Sequence, residues 1–165
     1  MKCTGPNHRD WYDAIATRNG GYRKTWSSTI EGESGEDVFR DTLLNLLEPH
    51  MEVLDAGCGS AEFSIEVARQ VRHLTGFDFS ENMVRRAKAN ATSAGAINCN
   101  YIVASTHNMP FSDASFDLIY SRRGPTSILL NPQILRKGGW MLGVHSSGAE
   151  VIQERIEASG LEDIE

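Results

Sequence analysis

A chain of 165 residues with 40% apolar and 23% charged side chains has the make-up of one globular domain. It is long enough to bury roughly 68–70% of its unfolded surface and too short for a second full domain. Its 16 basic and 22 acidic residues give a net charge of −6, which argues against nucleic acid as a partner, because such binding needs a basic face to neutralise phosphates.

The first 34 residues set Trp11, Tyr12, Tyr22 and Trp26 among Gly, Ser, Thr and charged side chains and read as an N-terminal arm, with residues 35–165 as one α/β domain. Inside the arm, Asp10 to Thr17 suits a short helix, and Gly20, Gly21, Gly32 and Gly35 mark turns. From Glu36, the apolar residues Val38, Phe39, Leu43, Leu46 and Leu47 recur at helical spacing until Pro49 ends the run. Met51 to Asp55 then reads as a short strand closed by an acid, Gly57 to Gly59 as a turn, and Ser60 to Arg72 as a helix. His73 to Asp78 is a second strand closed by an acid. Ser80 is the expected N-cap of the next helix, whose apolar face is Met83, Val84, Ala87 and Ala91, with Gly95 just past its end. Cys99 to Val103 and Phe116 to Tyr120 supply a third and a fourth strand. Pro125 opens a short helix to about Leu135, Trp140 to His145 is a fifth strand, and a last helix over 148–159 stops at Gly160. This alternation predicts a doubly wound, mostly parallel α/β sheet with right-handed crossovers.

Cys3, Cys58 and Cys99 are widely spaced, with no CxxC pair and no histidine at a zinc interval, so neither a disulfide framework nor a metal site is expected. The N-terminus lacks an apolar core and no run reaches about 18 apolar residues, so neither a secretory signal nor a membrane span is expected, and the reading is cytoplasmic.

In an open α/β sheet the ligand crevice lies outside the carboxyl ends of the strands. Asp55-Ala56-Gly57-Cys58-Gly59-Ser60-Ala61 leaves the first strand, and its glycines either let backbone approach a ligand or serve only a tight turn. Asp78, 21 residues beyond Gly57, suits the two hydroxyls of a ribose or else charges the start of the helix after Ser80. Glu62 stands where a dinucleotide fingerprint wants a small third residue, and Asp55 would face a pyrophosphate, so an NAD-dependent oxidoreductase is disfavoured. No Gly-Lys-Ser/Thr follows, which removes a P-loop. S-adenosylmethionine carries no phosphate, and its sulfonium and ammonium are attracted to such carboxylates.

Four segments, in order, carry a family resemblance: Val53 to Ala61, Gly76 to Met83, Met109-Pro110-Phe111 with Phe116-Asp117-Leu118, and Leu135 to Gly139. From about Met51 to His145 the chain resembles the class I S-adenosylmethionine-dependent methyltransferases of the small-molecule type known as methyltransferase domain 11, with a Rossmann-like fold. The resemblance implies that Gly57, Cys58 and Gly59 pass the methionine portion of S-adenosyl-L-methionine over backbone while Asp55 holds its amino end. It implies Asp78 on the ribose, Phe79 and Met83 against the adenine, Ser105 and Thr106 near the adenine amino group, and Ser121 beside the methyl group. Ala61 replaces a common third glycine, which a negative φ would allow. Ser105 replaces a frequent acid. The family sheet usually finishes with an antiparallel strand pair, and the sequence reaches Glu165 near the first of them; the chain therefore reads either as a reduced version of the fold or as a C-terminally shortened piece of it, and a sheet without that pair would have an exposed edge that favours self-association.

Methyl transfer from a sulfonium is an in-line displacement, so orientation is its main requirement and a general base is optional. His107 and His145 are the candidates for that base. The Asn/Asp-Pro-Pro-Tyr/Phe tetrapeptide of nucleic-acid amino methyltransferases is replaced by Ser121-Arg122-Arg123-Gly124-Pro125, which with the acidic balance points to a small-molecule acceptor. Arg122 and Arg123 either form a charged turn or grip an acceptor carboxylate or phosphate. Tyr12, Tyr22 and Trp26 of the arm are the candidates for a lid over the cofactor. A non-catalytic relative that binds the cofactor or a partner protein is the alternative reading.

Overall fold

The computed structural model describes residues 9–19, 32, 34–145 and 149–161. Its elements, in chain order, are α1 (Arg9–Asn19), α2 (Gly35–Leu46), β1 (Glu52–Ala56), α3 (Glu62–Ala68), β2 (His73–Asp78), α4 (Glu81–Ser93), β3 (Cys99–Val103), β4 (Phe116–Arg122), two 3-10 turns (Thr126–Leu130 and Pro132–Ile134), β5 (Leu135–Val144) and α5 (Ala149–Ser159). The strands form one sheet in the order β3-β2-β1-β4-β5, every neighbouring pair parallel. No antiparallel strand pair follows among the described residues, and the outer edge of β5 is unpaired there, with Trp140 about half exposed.

The central strands are apolar on both sides because both faces of the sheet are covered. Side chains alternate along each strand, so Val53, Leu74, Leu118 and Tyr120 face one core with Phe39 and Leu43 of α2, Ile65 and Val67 of α3, and Val84 and Ala87 of α4. Leu54, Ala56, Phe77 and Ile119 face the other, which is closed by Ile128 and Ile134 of the 3-10 turns and by Met109 and Phe111 of the β3–β4 connection. Each fully buried leucine contributes about 1.5–3 kcal/mol relative to an exposed one.

Several sequence expectations shift. α3 closes at Ala68 and not at Arg72. β4 runs on through Ser121 and Arg122, because β5 pairs with it there (Ser121 with Gly143, Arg122 with Val144). The segment after Pro125 is not one helix: Pro132 lacks the N–H a helix interior needs, so two 3-10 turns meet at Asn131. β5 begins at Leu135, five residues early, with a register shift opposite Phe116 to Leu118. Ala61 has φ +68, the opposite of the negative value its methyl favours.

Candidate active site

In the order β3-β2-β1-β4-β5, consecutive crossovers turn outward in opposite directions from between β1 and β4, and a crevice opens there at the carboxyl ends of the strands. One register row runs across it: Tyr101, Gly76, Asp55, Tyr120 and Leu142 are successive partners on one face. That row explains the surroundings of Asp55. The Tyr120 hydroxyl donates to Asp55 Oδ2 at 2.8 Å, and Ser64 of α3 donates to the same oxygen at 2.5 Å. Burial pushes the Asp55 carboxyl up to about 6 against these two donors, and nearby Asp78 pushes the same way. Among the described residues no hydrogen bond falls on Oδ1.

Asp78 ends β2 and has both oxygens tied by backbone. Gly59 N–H donates to Oδ2 at 3.1 Å and Ser80 N–H to Oδ1 at 2.9 Å. Burial raises this carboxyl too, and the two N–H groups hold it back. Ser80 caps α4 as expected, its hydroxyl accepting from Met83 N–H at 3.2 Å.

Between the two carboxylates lies the glycine turn. Gly57 and Cys58 N–H both donate to Phe77 carbonyl oxygen at 2.9 Å, which fastens the turn to β2. Gly59 has φ +53, and a Cβ there would meet nothing within 4 Å, so this part of the turn is open to a ligand. On the other side the turn touches the exit of β4: a Cβ at Gly124 would fall 2.0 Å from the Ala56 carbonyl oxygen. Beside that contact the Ser121 hydroxyl is buried without a hydrogen-bond partner among the described residues.

Residues 47–157 match the methyltransferase domain family. The chain belongs to that family. A solved structure of a functionally unknown protein from Deinococcus radiodurans R1 is 31% identical, with a TM-score of 0.75, over 92% of this chain and 71% of that one. A demethylmenaquinone methyltransferase of Listeria monocytogenes serotype 4a (strain HCC23) is 36% identical over 88 residues, 52% of this chain and 37% of its own length. A 23S rRNA (uracil(1939)-C(5))-methyltransferase of Pseudomonas aeruginosa (strain UCBPP-PA14) is 30% identical over 125 residues, 74% of this chain and 25% of its own. The chain thus spans about a third or less of the length of these two curated relatives.

On this methyltransferase domain the expected site residues fall into two groups. Asp55, Gly57, Gly59, Asp78 and Ser121 converge on the crevice. Phe79 lies beside it with Tyr12 of α1 edge-on at 5.2 Å, and Met83 is wholly buried at the start of α4. Cys58 is turned inward: its Cβ sits against the position a side chain at Gly76 would take, and burial first, then Asp55 and Asp78, keep its thiol protonated. Thr106 is tied to the first 3-10 turn, its hydroxyl 2.6 Å from that of Ser127 and its carbonyl accepting from Asn131 at 3.0 Å. The Ser105 carbonyl accepts from Asn108 N–H at 3.0 Å. His107 is exposed, while His145 is partly buried, which lowers its pKa.

Arg122 closes β4 and Arg123 follows with φ +57. Both donate through Nε to one carboxylate, Glu36 in the first turn of α2. Partial burial works to raise the Glu36 carboxyl, but the two guanidinium groups outweigh it and hold the pKa below the usual carboxylate range. Glu36, Ser64 and Tyr120 carry no site role in the sequence pattern, and neither does Asp13 of α1, which accepts from the Ser80 hydroxyl. Once β1 and β4 pair, strand alternation puts Tyr120 on the Asp55 face, whereas nothing local points to Glu36 or Asp13. Of the expected lid, α1 packs on α4 beside Phe79, whereas Tyr22 and Trp26 lie outside the described residues. No helix among the described residues is long and apolar enough to cross a membrane.

Proposed function

We propose that the domain binds S-adenosyl-L-methionine across the turn from Asp55 to Gly59 and transfers its methyl group to a small molecule. The observation that carries this is the pair of buried carboxylates, Asp55 and Asp78, flanking a glycine turn that is open at Gly59. Such a site repels phosphate and favours a ligand with cationic and hydroxyl groups. The cofactor supplies an electrophilic methyl group on a sulfonium.

The residues present suit that ligand. Asp55 offers Oδ1 to an ammonium while Ser64 and Tyr120 fix Oδ2. Asp78 keeps lone pairs on two oriented oxygens for vicinal hydroxyls. Ser121 brings a buried hydroxyl that needs a partner. α1, with Tyr12 against Phe79, covers the α4 side of the crevice as a lid would. The domain's own part in the reaction is to hold the reacting groups in line and exclude water, and orientation of that kind supplies on the order of 7–11 kcal/mol in favourable cases. Asp13, Asp55, Asp78 and the net charge of −6 disfavour a polyanionic acceptor such as the RNA of the Pseudomonas relative.

Thermal unfolding with S-adenosylhomocysteine, S-adenosylmethionine or NADH tests the cofactor. A ligand at about 100 times its dissociation constant adds roughly 2.7 kcal/mol, several degrees for a domain of this size. A shift with both adenosyl ligands and none with NADH is expected; no shift with either adenosyl ligand overturns the proposal.

A further inference from the structure

The two arginines at the end of β4 are built into something more definite than a charged turn. A strand sends successive side chains to opposite faces, so Arg123 should point away from Arg122. Its left-handed backbone breaks that alternation. The turn is held by Arg123 N–H donating to the Val144 carbonyl at 2.8 Å, and both guanidinium groups reach the same carboxylate. A non-glycine residue in this conformation is strained, and such strain persists where the surroundings enforce it.

Glu36 takes only the Nε–H of each arginine, at Oε2 from Arg122 (2.8 Å) and at Oε1 from Arg123. Among the described residues neither arginine makes a hydrogen bond through its terminal nitrogens. The Arg122 guanidinium also lies 4.8 Å from the centre of the Phe63 ring, which fixes its plane. Both guanidinium groups share the one Glu36 carboxylate, Arg122 also feels the buried Asp55 carboxyl, and four terminal nitrogens are left without a hydrogen bond among the described residues. The pair lies next to the cofactor turn, because Asp55 and Tyr120 are register partners and Gly124 presses on Ala56.

We propose that Arg122 and Arg123 form an oxyanion-binding fork for a methyl acceptor that carries a carboxylate or phosphate, with Glu36 as the residue that positions both guanidinium groups. The proposal rests on the methyl-transfer reading above and names the acceptor class for the same site. Planar guanidinium forks match either oxyanion, and lysine does not reproduce that geometry.

The test is a titration of the protein with inorganic phosphate and, separately, with acetate, at matched ionic strength against chloride. It is followed through the arginine side-chain NMR signals, with and without saturating S-adenosylhomocysteine. Saturable binding is expected, at least tenfold weaker in Arg122→Lys, which keeps the charge, and in Arg123→Asn, which suits a left-handed backbone. Tighter phosphate than acetate assigns the phosphate class, and the reverse assigns the carboxylate class. Glu36→Gln decides the positioning role, because charge alone predicts tighter anion binding once a carboxylate is neutralised. Binding several-fold weaker supports the proposal, and tighter binding overturns it by making Glu36 a mere competitor. Absence of saturable binding by either anion, or binding by both arginine variants as tight as by the parent protein, also overturns it. If S-adenosylhomocysteine alone fails to bind, the methyl-transfer reading falls, while the anion arms still score the fork.

Discussion

The two sides of the crevice solve opposite electrostatic problems. On the β1–β2 side, carboxylates are buried and their pKa values rise, and each is oriented by close hydrogen bonds: Ser64 and, from the neighbouring strand, Tyr120 on Asp55, Gly59 and Ser80 on Asp78. On the β4 side, two arginines remain nearly half exposed, and their carboxylate partner sits on α2, 86 and 87 residues away in sequence. The buried side holds charge that is costly until a ligand answers it. The exposed side holds charge already answered in part, so its cost is backbone strain instead of desolvation.

The contact that joins the two sides is the first place to break this arrangement. With only 2.0 Å available to a Cβ at Gly124, the Gly124→Ala protein must move either the β1 exit or the β4 exit. Neither is a flexible side-chain end. We expect a loss of about 3 kcal/mol or more, seen as a fall of roughly 6–12 °C in melting temperature, together with weakened S-adenosylhomocysteine binding. An unchanged melting temperature would mean that the two exits are not in contact in solution.

The cost of the buried side is measured by Asp55. Its carboxyl titrates near 6 in the folded protein against an ordinary value of 3.8. Between those pH values the folded state holds a proton that the unfolded state has released. Stability from this group is therefore fully present below about pH 4 and is lost as pH rises through about 6. The penalty at pH 7 is on the order of 3 kcal/mol. Asp55→Asn, which still accepts from Ser64 and Tyr120, should raise the melting temperature of the ligand-free protein at pH 7 and flatten its dependence between pH 4 and 7. The same change should weaken S-adenosylmethionine binding by roughly 10–100-fold, the worth of a charged hydrogen bond. Equal pH profiles for the two proteins would show that Asp55 is ionised at no cost.

The contrast also explains what could be read from the sequence. β2 and β3 match their predicted spans, and Asp55, Asp78 and the Ser80 cap sit where strand ends and helix starts put them, because each depends on neighbours a few residues away. β4 runs past its predicted end because the polar pair Ser121-Arg122 looks like loop, and only pairing with β5 keeps it extended. Pro132 was a legible break in the expected helix after Pro125. The Arg122–Arg123–Glu36 cluster was not legible: it needs a left-handed arginine and a partner on another helix, and neither leaves a periodic trace.

Ala61 carries the smallest effect and tests how strain is balanced on the buried side. A left-handed alanine costs about 1–2 kcal/mol. Glycine would remove that cost but add roughly 0.4–1 kcal/mol of unfolded-chain entropy, and it would lose a methyl worth about 0.8 kcal/mol. The methyl is only 1% exposed and packs in the core formed with α3 and α4. These terms nearly cancel, which accounts for alanine at a left-handed position. Ala61→Gly should therefore melt within about 2 °C of the parent, a change of roughly 0.5 kcal/mol either way. Ala61→Val should fall well below both, since a β-branched residue adopts this conformation poorly. A gain of several degrees in Ala61→Gly would mean that the methyl adds no packing. An Ala61→Val protein as stable as the parent would mean that the turn leaves the left-handed region, and the orientation of Gly59 toward Asp78 would then not be fixed by the backbone.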